Sequence, residues 1–292
     1  MDSGRLRLGE PLARHTSWRI GGPAERFYLA AGEEDLRFFL QHFALGPITW
    51  LGLGSNVLVR DGGIRGSVIC LAHGLDALML HGPTEILAEA GVSAVKLAHF
   101  AARAGLAGCE FLAGIPGTLG GCLAMNAGAQ GMETWELVNW VEVLQPDGTV
   151  ERLGKEQFQV GYRSVQGQGQ GCFLRASLRL AASDKEQVFA RLRQWQARRA
   201  QTQPLEWPSC GSVFRNPPGD FAARLIEAGG LKGSRKGDAE LSTKHANFIV
   251  NRGAARAQDV EELVTRVQET VAGRFGVHLE PEMRVLGEAE DD

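Results

Sequence analysis

Residues 108–128, GCEFLAGIPGTLGGCLAMNAG, restrict what this chain can fold into more than any other stretch. Glycines stand at 108, 114, 117, 120, 121 and 128, with Pro116 among them. Each glycine inside a helix costs about 1 kcal/mol against alanine, and a proline about 3. An ordinary helix is therefore not expected here, and glycine weakens a strand interior as well. What such a run offers is close approach. Backbone without a Cβ tolerates positive φ and lets another group come near. Successive amide groups in such a turn form a concave nest for anions, phosphate above all. For one loop of this kind, a tight packing turn explains the glycines equally well.

A second loop upstream tips that balance. An apolar strand from residue 48 runs into Gly52-Leu53-Gly54-Ser55-Asn56, and another strand, Val57-Leu58-Val59, leaves it before the turn Asp61-Gly62-Gly63. The dinucleotide fingerprint GxGxxG is not met, because Val57 stands where the third glycine belongs and no helix follows. Two nests from separate parts of the chain can instead grip the two phosphates of one pyrophosphate.

The rest of the chain reads as alternating short elements. Residues 1–15 are expected to be a lead-in with little structure, followed by strand-like pieces on either side of Gly21-Gly22-Pro23. Leu36, Phe39, Leu40 and Phe43 mark one face of a short helix. Residues 85–92 read as a strand, and Ser93 caps a helix that Gly105 ends. A hairpin spans 135–153 through Pro146-Asp147-Gly148, and residues 171–180 alternate as a strand. Near 182 the texture changes. Ser183 and Glu186 read as the capping box of a basic amphipathic helix, with Val188, Leu192 and Trp195 inward and Arg191, Arg193, Arg198 and Arg199 on a solvated face. A helix at 220–228, a strand at 246–251, a helix from Val260 to Phe275 and a strand near Met283–Leu286 complete the pattern. The final EAEDD reads as a disordered acidic tail. The mixture is α+β.

Composition closes off several classes. The 292 residues suffice for one large or two to three small domains. With 31 Lys and Arg against 34 Asp and Glu, the net charge of −3 argues against a general nucleic-acid binder. Cys70, Cys109, Cys122, Cys172 and Cys210 are scattered and odd in number. They form no CxxC pair or Cys/His cluster, so neither a metal site nor a disulfide framework is expected, and free thiols in a reducing cytoplasm are. No apolar run reaches the ~18 residues of a spanning helix, and the N-terminus lacks an apolar signal region. A soluble cytoplasmic protein without a membrane partner is the expectation.

Three further segments carry reactive groups. In Gly161-Tyr162-Arg163-Ser164 the guanidinium suits a carboxylate or phosphate through two parallel hydrogen bonds, or an ordinary surface salt bridge. The segment 208–217, PSCGSVFRNP, can present the Ser212 hydroxyl in a cavity or hold a plain turn serine. Cys210 beside it has no legible histidine to activate it. In Leu279-Glu280-Pro281-Glu282, Pro281 stiffens the approach to Glu282, which can relay a proton, pair a charge or lie exposed.

Taken with their order and spacing, TSWRIGGPA (16–24), LGLGSNVLV (51–59), GLAGCEFLAGIPGTLGGCLAMNAGAQG (105–131), GYRSV (161–165), PSCGSVFRNP (208–217), LIEAGGLKG (225–233), HANFIVN (245–251) and LEPEMRVLG (279–287) resemble the UDP-N-acetylenolpyruvoylglucosamine reductase family. The resemblance runs from about Thr16 to Gly287. It implies an FAD-binding fold of the vanillyl-alcohol-oxidase type in two subdomains, residues 1–72 and 73–182, and an α+β substrate-binding domain at 183–292. FAD would be held noncovalently, its pyrophosphate on Gly52, Gly54, Ser55, Asn56, Gly114, Ile115, Pro116, Gly117, Gly120, Gly121, Asn126, Ala127 and Gly128. NADPH would be the reductant and UDP-N-acetylglucosamine enolpyruvate the substrate. The product would be UDP-N-acetylmuramate for cell-wall peptidoglycan, made by a cytoplasmic monomer that needs no metal.

An enol ether accepts hydride only if its carboxylate and developing negative charge are stabilised in place. The resemblance assigns that work to Arg163 as carboxylate clamp, Ser212 as proton donor and Glu282, protonated or bridged by water, as helper. Tyr162, Arg215 and Asn216 would contact substrate. The family often has Lys where Arg215 stands and a small residue where Cys210 stands. The chain also lacks a tyrosine-rich insert between about 163 and 210, as in the shorter, second type. Another FAD oxidoreductase on the same fold, or a silent nucleotide-binding protein, are the competing readings. The CGSVFRNP and LEPEM segments argue against the first, and the presence of Arg163, Ser212 and Glu282 against the second.

Overall fold

A computed structural model describes residues 5–290. The chain divides into two compact units: Met1–Arg7, Phe27–Leu53 and Gly66–Arg199 form the first, Leu8–Arg26, Gly54–Arg65 and Ala200–Asp292 the second. Both mix strands and helices, as the α+β reading requires.

The first unit is built on a five-stranded antiparallel sheet, in the order Val150–Gly154, Val138–Leu144, Cys172–Arg179, Glu85–Glu89, Leu78–Leu80. The hairpin at its edge turns where Gly148 holds φ 87° and the Asp147 carboxylate accepts the Thr149 amide at 2.9 Å. Helix Ala94–Ala104 begins at Ser93, whose Oγ accepts the Lys96 amide at 3.1 Å, and ends at Gly105 in the left-handed region. Its face of Leu97, Ala98 and Ala101 is fully buried against Phe111, Leu123, Trp135 and Phe173. A second core joins Leu36, Phe39 and Leu40 of helix Glu33–His42 to Tyr28, whose ring stacks on Phe39 at 3.9 Å. Phe43, expected on that face, stands past the helix end and is exposed.

In the second unit, helix Ala257–Phe275 lays Val260, Leu263, Val267 and Val271 into a core with Trp18, Phe214, Leu225 and Ile249. Each such side chain contributes about 1.5–3 kcal/mol by leaving water. A three-stranded sheet runs Arg235–Lys236, Ala239–Leu241, Ile249–Asn251. The strand Val57–Val59, leaving the first glycine loop, pairs in parallel with Arg284–Leu286. Two distant segments of chain are thereby joined within one unit.

Several expectations change. The lead-in holds a strand, Leu6–Pro11, and a 3-10 turn, Leu12–His15; residues 1–4 lie outside the described ones. Thr16–Ile20 is not a strand: the Thr16 hydroxyl donates to the Ile20 carbonyl at 2.8 Å and closes a turn. The turn buries Trp18, whose indole N–H donates to the Ile249 carbonyl at 2.7 Å. Helix Lys185–Thr202 starts without the Ser183 box, because the Asp184 carboxylate takes the Gln187 amide at 3.0 Å. Val188 and Leu192 are buried as expected, but Trp195 is only half-buried. Arg191, partly exposed, also pairs at 2.8 Å with Glu110, which is buried. Nor is the acidic end loose as far as it is described. Glu288 exchanges backbone bonds with Gly62 and Gly63 and pairs with Arg65 at 2.7 Å, while residues 291 and 292 are not among the described ones. The five cysteines are free and buried. Among the described residues no helix is long and apolar enough to cross a membrane.

Candidate active site

The glycine-rich run does contain a helix, Leu119–Met125, against the expectation from composition. Tertiary bonds override propensity there. The Leu119 amide donates to the Val92 carbonyl and the Gly120 amide to the Ala90 carbonyl, both at 2.8 Å, while Thr118 Oγ1 caps the Gly121 amide at 3.3 Å. A Cβ on Gly120 would lie 3.0 Å from the Ala90 Cβ, so glycine is needed for this close seat. Helix amides that might have cradled an anion are thus already spent on protein. The Gly117 and Thr118 amides, in contrast, have no partner among the described residues. Gly114 has no heavy atom within 4 Å of where a Cβ would stand, and Gly121 only Thr118 Oγ1 at 3.7 Å. Gly52 meets the same threonine: its added Cβ would lie 2.6 Å from Thr118 Oγ1. Within the first unit, the end of the upstream loop therefore touches the downstream one.

The remainder of the upstream loop belongs to the second unit. Gly54 holds φ 61°, and its carbonyl accepts the Ser17 amide at 3.0 Å. The consecutive amides of Gly54, Ser55 and Asn56 have no partner among the described residues. Such a row is what a phosphate nest requires. The glycines thus divide by task. Gly52 and Gly120 let protein meet protein, whereas Gly114 and Gly121 leave an open face. Each row of open amides, taken within its own unit, is a donor set that fits a phosphate group.

Past the helix, the first unit holds Arg163. It is the second residue of a two-residue loop joining strands Gln159–Gly161 and Ser164–Gln166, and it stands at φ 52°. Its guanidinium is held on three sides. Nη2 donates to the Gly128 carbonyl at 2.6 Å and Nη1 to the Asn126 carbonyl at 3.2 Å. Glu133 lies 3.9 Å from Nη1, and the Tyr162 ring lies under the guanidinium at 4.8 Å. Neutral carbonyls orient the cation without cancelling its charge. Burial pushes the nearby Cys122 thiol up to about 12, and the Arg163 charge draws it partly back. Asn126, read from sequence as a cofactor contact, is fully buried, and its side chain is bonded to Glu133, Gly161 and the Trp135 amide. The Ala127 carbonyl likewise accepts the Thr134 hydroxyl at 2.6 Å.

In the second unit, two backbone runs carry Ser212 and Glu282. The Glu282 amide donates to the Val213 carbonyl at 2.7 Å, the Arg215 amide to the Glu280 carbonyl at 2.9 Å, and Phe214 bridges Pro281. Main-chain pairing therefore sets Glu282 opposite Val213, the residue that follows Ser212, although Ser212 and Glu282 are seventy residues apart in sequence. The Asn56 side chain fixes the same run by donating to the Glu282 carbonyl at 3.2 Å. The Ser212 hydroxyl is half-buried and makes no hydrogen bond among the described residues. Cys210 lies close by; burial first, and then the Glu282 carboxylate, push its thiol well above the usual range, so it is no nucleophile at neutral pH. Arg215 lies 3.7 Å from Glu280, and Asn216 caps helix Ala222–Ala228 by accepting the Ala222 amide at 3.1 Å.

Two residues of this geometry carried no signal of their own in the sequence. Asn247 is buried and binds Phe214 from both sides, accepting its amide at 2.9 Å and donating to its carbonyl at 2.8 Å. It sits in the HANFIVN segment, without any feature that marks a role. Glu133 is the other.

Comparison with known proteins agrees with this layout. Residues 26–154 match the model of an FAD binding domain family, and residues 203–286 match the C-terminal domain of UDP-N-acetylenolpyruvoylglucosamine reductase. The UDP-N-acetylenolpyruvoylglucosamine reductase of Alkalilimnicola ehrlichii is 54% identical over 288 residues, covering 98% of this chain and 96% of its own. That of Methylococcus capsulatus is 55% identical over 282 residues, covering 96% of this chain and 93% of its own. The crystal structure of the Thermus caldophilus UDP-N-acetylenolpyruvylglucosamine reductase superposes with a TM-score of 0.84 at 39% identity, over 97% of this chain and 98% of that one. With relatives this similar along nearly its whole length, the chain belongs to the UDP-N-acetylenolpyruvoylglucosamine reductase family.

Proposed function

We propose that this chain reduces UDP-N-acetylglucosamine enolpyruvate to UDP-N-acetylmuramate at the expense of NADPH, through noncovalently bound FAD, in cytoplasmic peptidoglycan precursor synthesis. The observation that supports the reading is the main-chain pairing of Val213 with Glu282, which joins the segment of Ser212, whose hydroxyl has no partner among the described residues, to the segment of Glu282. FAD supplies the two-electron carrier between NADPH and the enol ether.

The chain's own residues have three tasks. First, the unpartnered amides at Gly54, Ser55, Asn56, Gly117 and Thr118 take pyrophosphate oxygens, while Gly114 and Gly121 keep backbone bare for the cofactor. Ile115, Pro116, Ala127 and Gly128 line that run, and Gly52, Gly120 and Asn126 act by holding it in shape. Second, Arg163 receives the substrate carboxylate. A guanidinium is a planar fork suited to a carboxylate, and two carbonyl bonds fix its plane. Tyr162, exposed beside it, adds a contact, as Arg215 and Asn216 do from the second unit. Third, the proton must reach the carbon that bears the carboxylate once the terminal carbon has received hydride. A serine hydroxyl is a weak acid, so it works only when positioned and when a relay stands next to it; Ser212 and Glu282 are assigned those two parts. We assign residues 1–72 and 73–182 to the cofactor and 183–292 to the substrate. One chain carries every residue named, so a monomer suffices.

The test is anaerobic stopped-flow at the flavin band. Protein reduced by NADPH is mixed with UDP-N-acetylglucosamine enolpyruvate. Fast reoxidation that UDP-N-acetylglucosamine itself does not elicit is expected. Reduction by NADPH with no response to the enolpyruvyl compound would overturn the substrate and leave an FAD oxidoreductase with another acceptor, oxygen being the first to try.

A further inference from the structure

Arg163 occupies a backbone conformation that a side chain rarely adopts, φ 52° in a two-residue loop, where glycine is at home. Such strain persists only where the surroundings over-determine it, and it clusters at functional sites. The surroundings converge on one carboxylate. Glu133 follows a tight hairpin whose two central residues, Gln130 and Gly131, both have positive φ, at 60° and 81°. That turn fixes register and sets Glu133 directly opposite Gly128. From there its Oε2 accepts the Asn126 Nδ2 at 2.6 Å.

The consequence passes along a chain of bonds. The same Nδ2 group donates to the Gly161 carbonyl at 3.1 Å, at the base of the loop that carries Arg163. The Asn126 and Gly128 carbonyls in turn accept from the guanidinium. The amide of Asn126 can hold this orientation only while its second N–H has an acceptor, because Asn126 is fully buried and an orphaned donor there is costly. Meanwhile Glu133 Oε1 stays 3.9 Å from Nη1, beyond hydrogen-bond reach. It steadies the cation through its charge.

We infer that Glu133 is a positioning residue: through Asn126 it sets the loop and the guanidinium plane with which Arg163 meets the substrate carboxylate. This rests on the function proposed above. It concerns the enolpyruvyl half-reaction and leaves the NADPH half-reaction alone.

Glu133→Ala, Glu133→Gln and the unaltered holoenzyme decide it. Glutamine keeps an acceptor oxygen and removes only the charge. In Glu133→Ala, reoxidation by the enolpyruvyl substrate slows about tenfold to a hundredfold, the range that a small misplacement produces. Calorimetric titration of that substrate onto the oxidised protein weakens in parallel. FAD content and the rate of reduction by NADPH stay within about twofold, the melting temperature falls by several degrees because the Asn126 donor is stranded, and Glu133→Gln recovers most of the loss. Unchanged reoxidation in Glu133→Ala overturns the inference. So does an equal loss in both half-reactions or of FAD, which marks a merely structural role, and so does a glutamine variant as slow as the alanine one. If the unaltered protein is not reoxidised at all, the proposed function falls and this inference with it.

Discussion

The two reactive corners of the molecule are fixed in opposite ways. In the first unit, Arg163 is positioned through its side chain, which is bonded to two carbonyls and stacked on Tyr162. In the second, Ser212 is positioned through the main chain on either side of it, and its hydroxyl is left without a partner among the described residues. The chemistry explains the contrast. A cation has donors to spare, so some can be spent on orientation while the rest bind substrate. A hydroxyl has one proton, and a hydroxyl that donates it to the protein has none for a carbon. Backbone pairing is the way to hold it still without using it.

The sharpest way to break the comparison is Ser212→Ala. No hydrogen bond of the described residues is lost with the hydroxyl, so FAD content, fold and reduction by NADPH are expected to be unchanged. Reoxidation by the enolpyruvyl substrate should fall about 10²–10⁴-fold, the usual worth of a positioned proton donor. Stopped-flow of the two half-reactions reads both numbers in one preparation. An unaltered second half-reaction would remove Ser212 as the donor and make its free hydroxyl incidental.

Asn247→Ala sharpens the contrast from the other side, because it loosens main chain and leaves Ser212 in place. The variant strands the amide and carbonyl of Phe214, a residue 1% exposed. Each orphaned group costs about 1–3 kcal/mol. Urea unfolding should show that loss, and the enolpyruvyl half-reaction should slow by less than in Ser212→Ala. Stability lost with full activity retained would mean that the pairing of Val213 with Glu282 positions Ser212 unaided.

How much of this could be read beforehand follows from what each residue costs. Glycine is expensive inside regular structure, so the two glycine loops stood out as places of close approach. Which glycines face protein was hidden, since Gly52 needs Thr118 and Gly120 needs Ala90, partners that only folding supplies. Local caps were legible to within a residue: Ser93 as read, Asp184 in place of Ser183. Thr16–Ile20 has the residue types of a strand, and a single hydroxyl bond made it a turn. Glu133 and Asn247 carry nothing in their neighbours that announces a role. Their work is to hold other residues' backbone, and that exists only once distant segments meet.

The smallest effect is expected at His245, which supports the backbone-fixed corner from one step further out. Its Nδ1 accepts the Asn247 amide at 3.3 Å, a bond that only the neutral ring with its proton on Nε2 can make. Burial first, and then the charge of Lys232, hold its pKa below the usual value, with the Glu227 carboxylate acting against them. The sign follows from proton counts. Unfolded chain takes up the proton more readily, so this contribution is complete above the ordinary histidine value of about 6.5 and is lost as pH falls through it towards the lower folded pKa. The urea midpoint should therefore drop between about pH 7 and 5, and His245→Asn should flatten that slope while sparing the midpoint at pH 8. A slope unchanged in the variant would place the titration elsewhere. If the slope flattens and the enolpyruvyl half-reaction also loses its dependence over the same range, then proton uptake at His245 reaches Ser212 through Asn247. The backbone-fixed corner would then be the one that pH can loosen, and the side-chain-fixed corner at Arg163 would not.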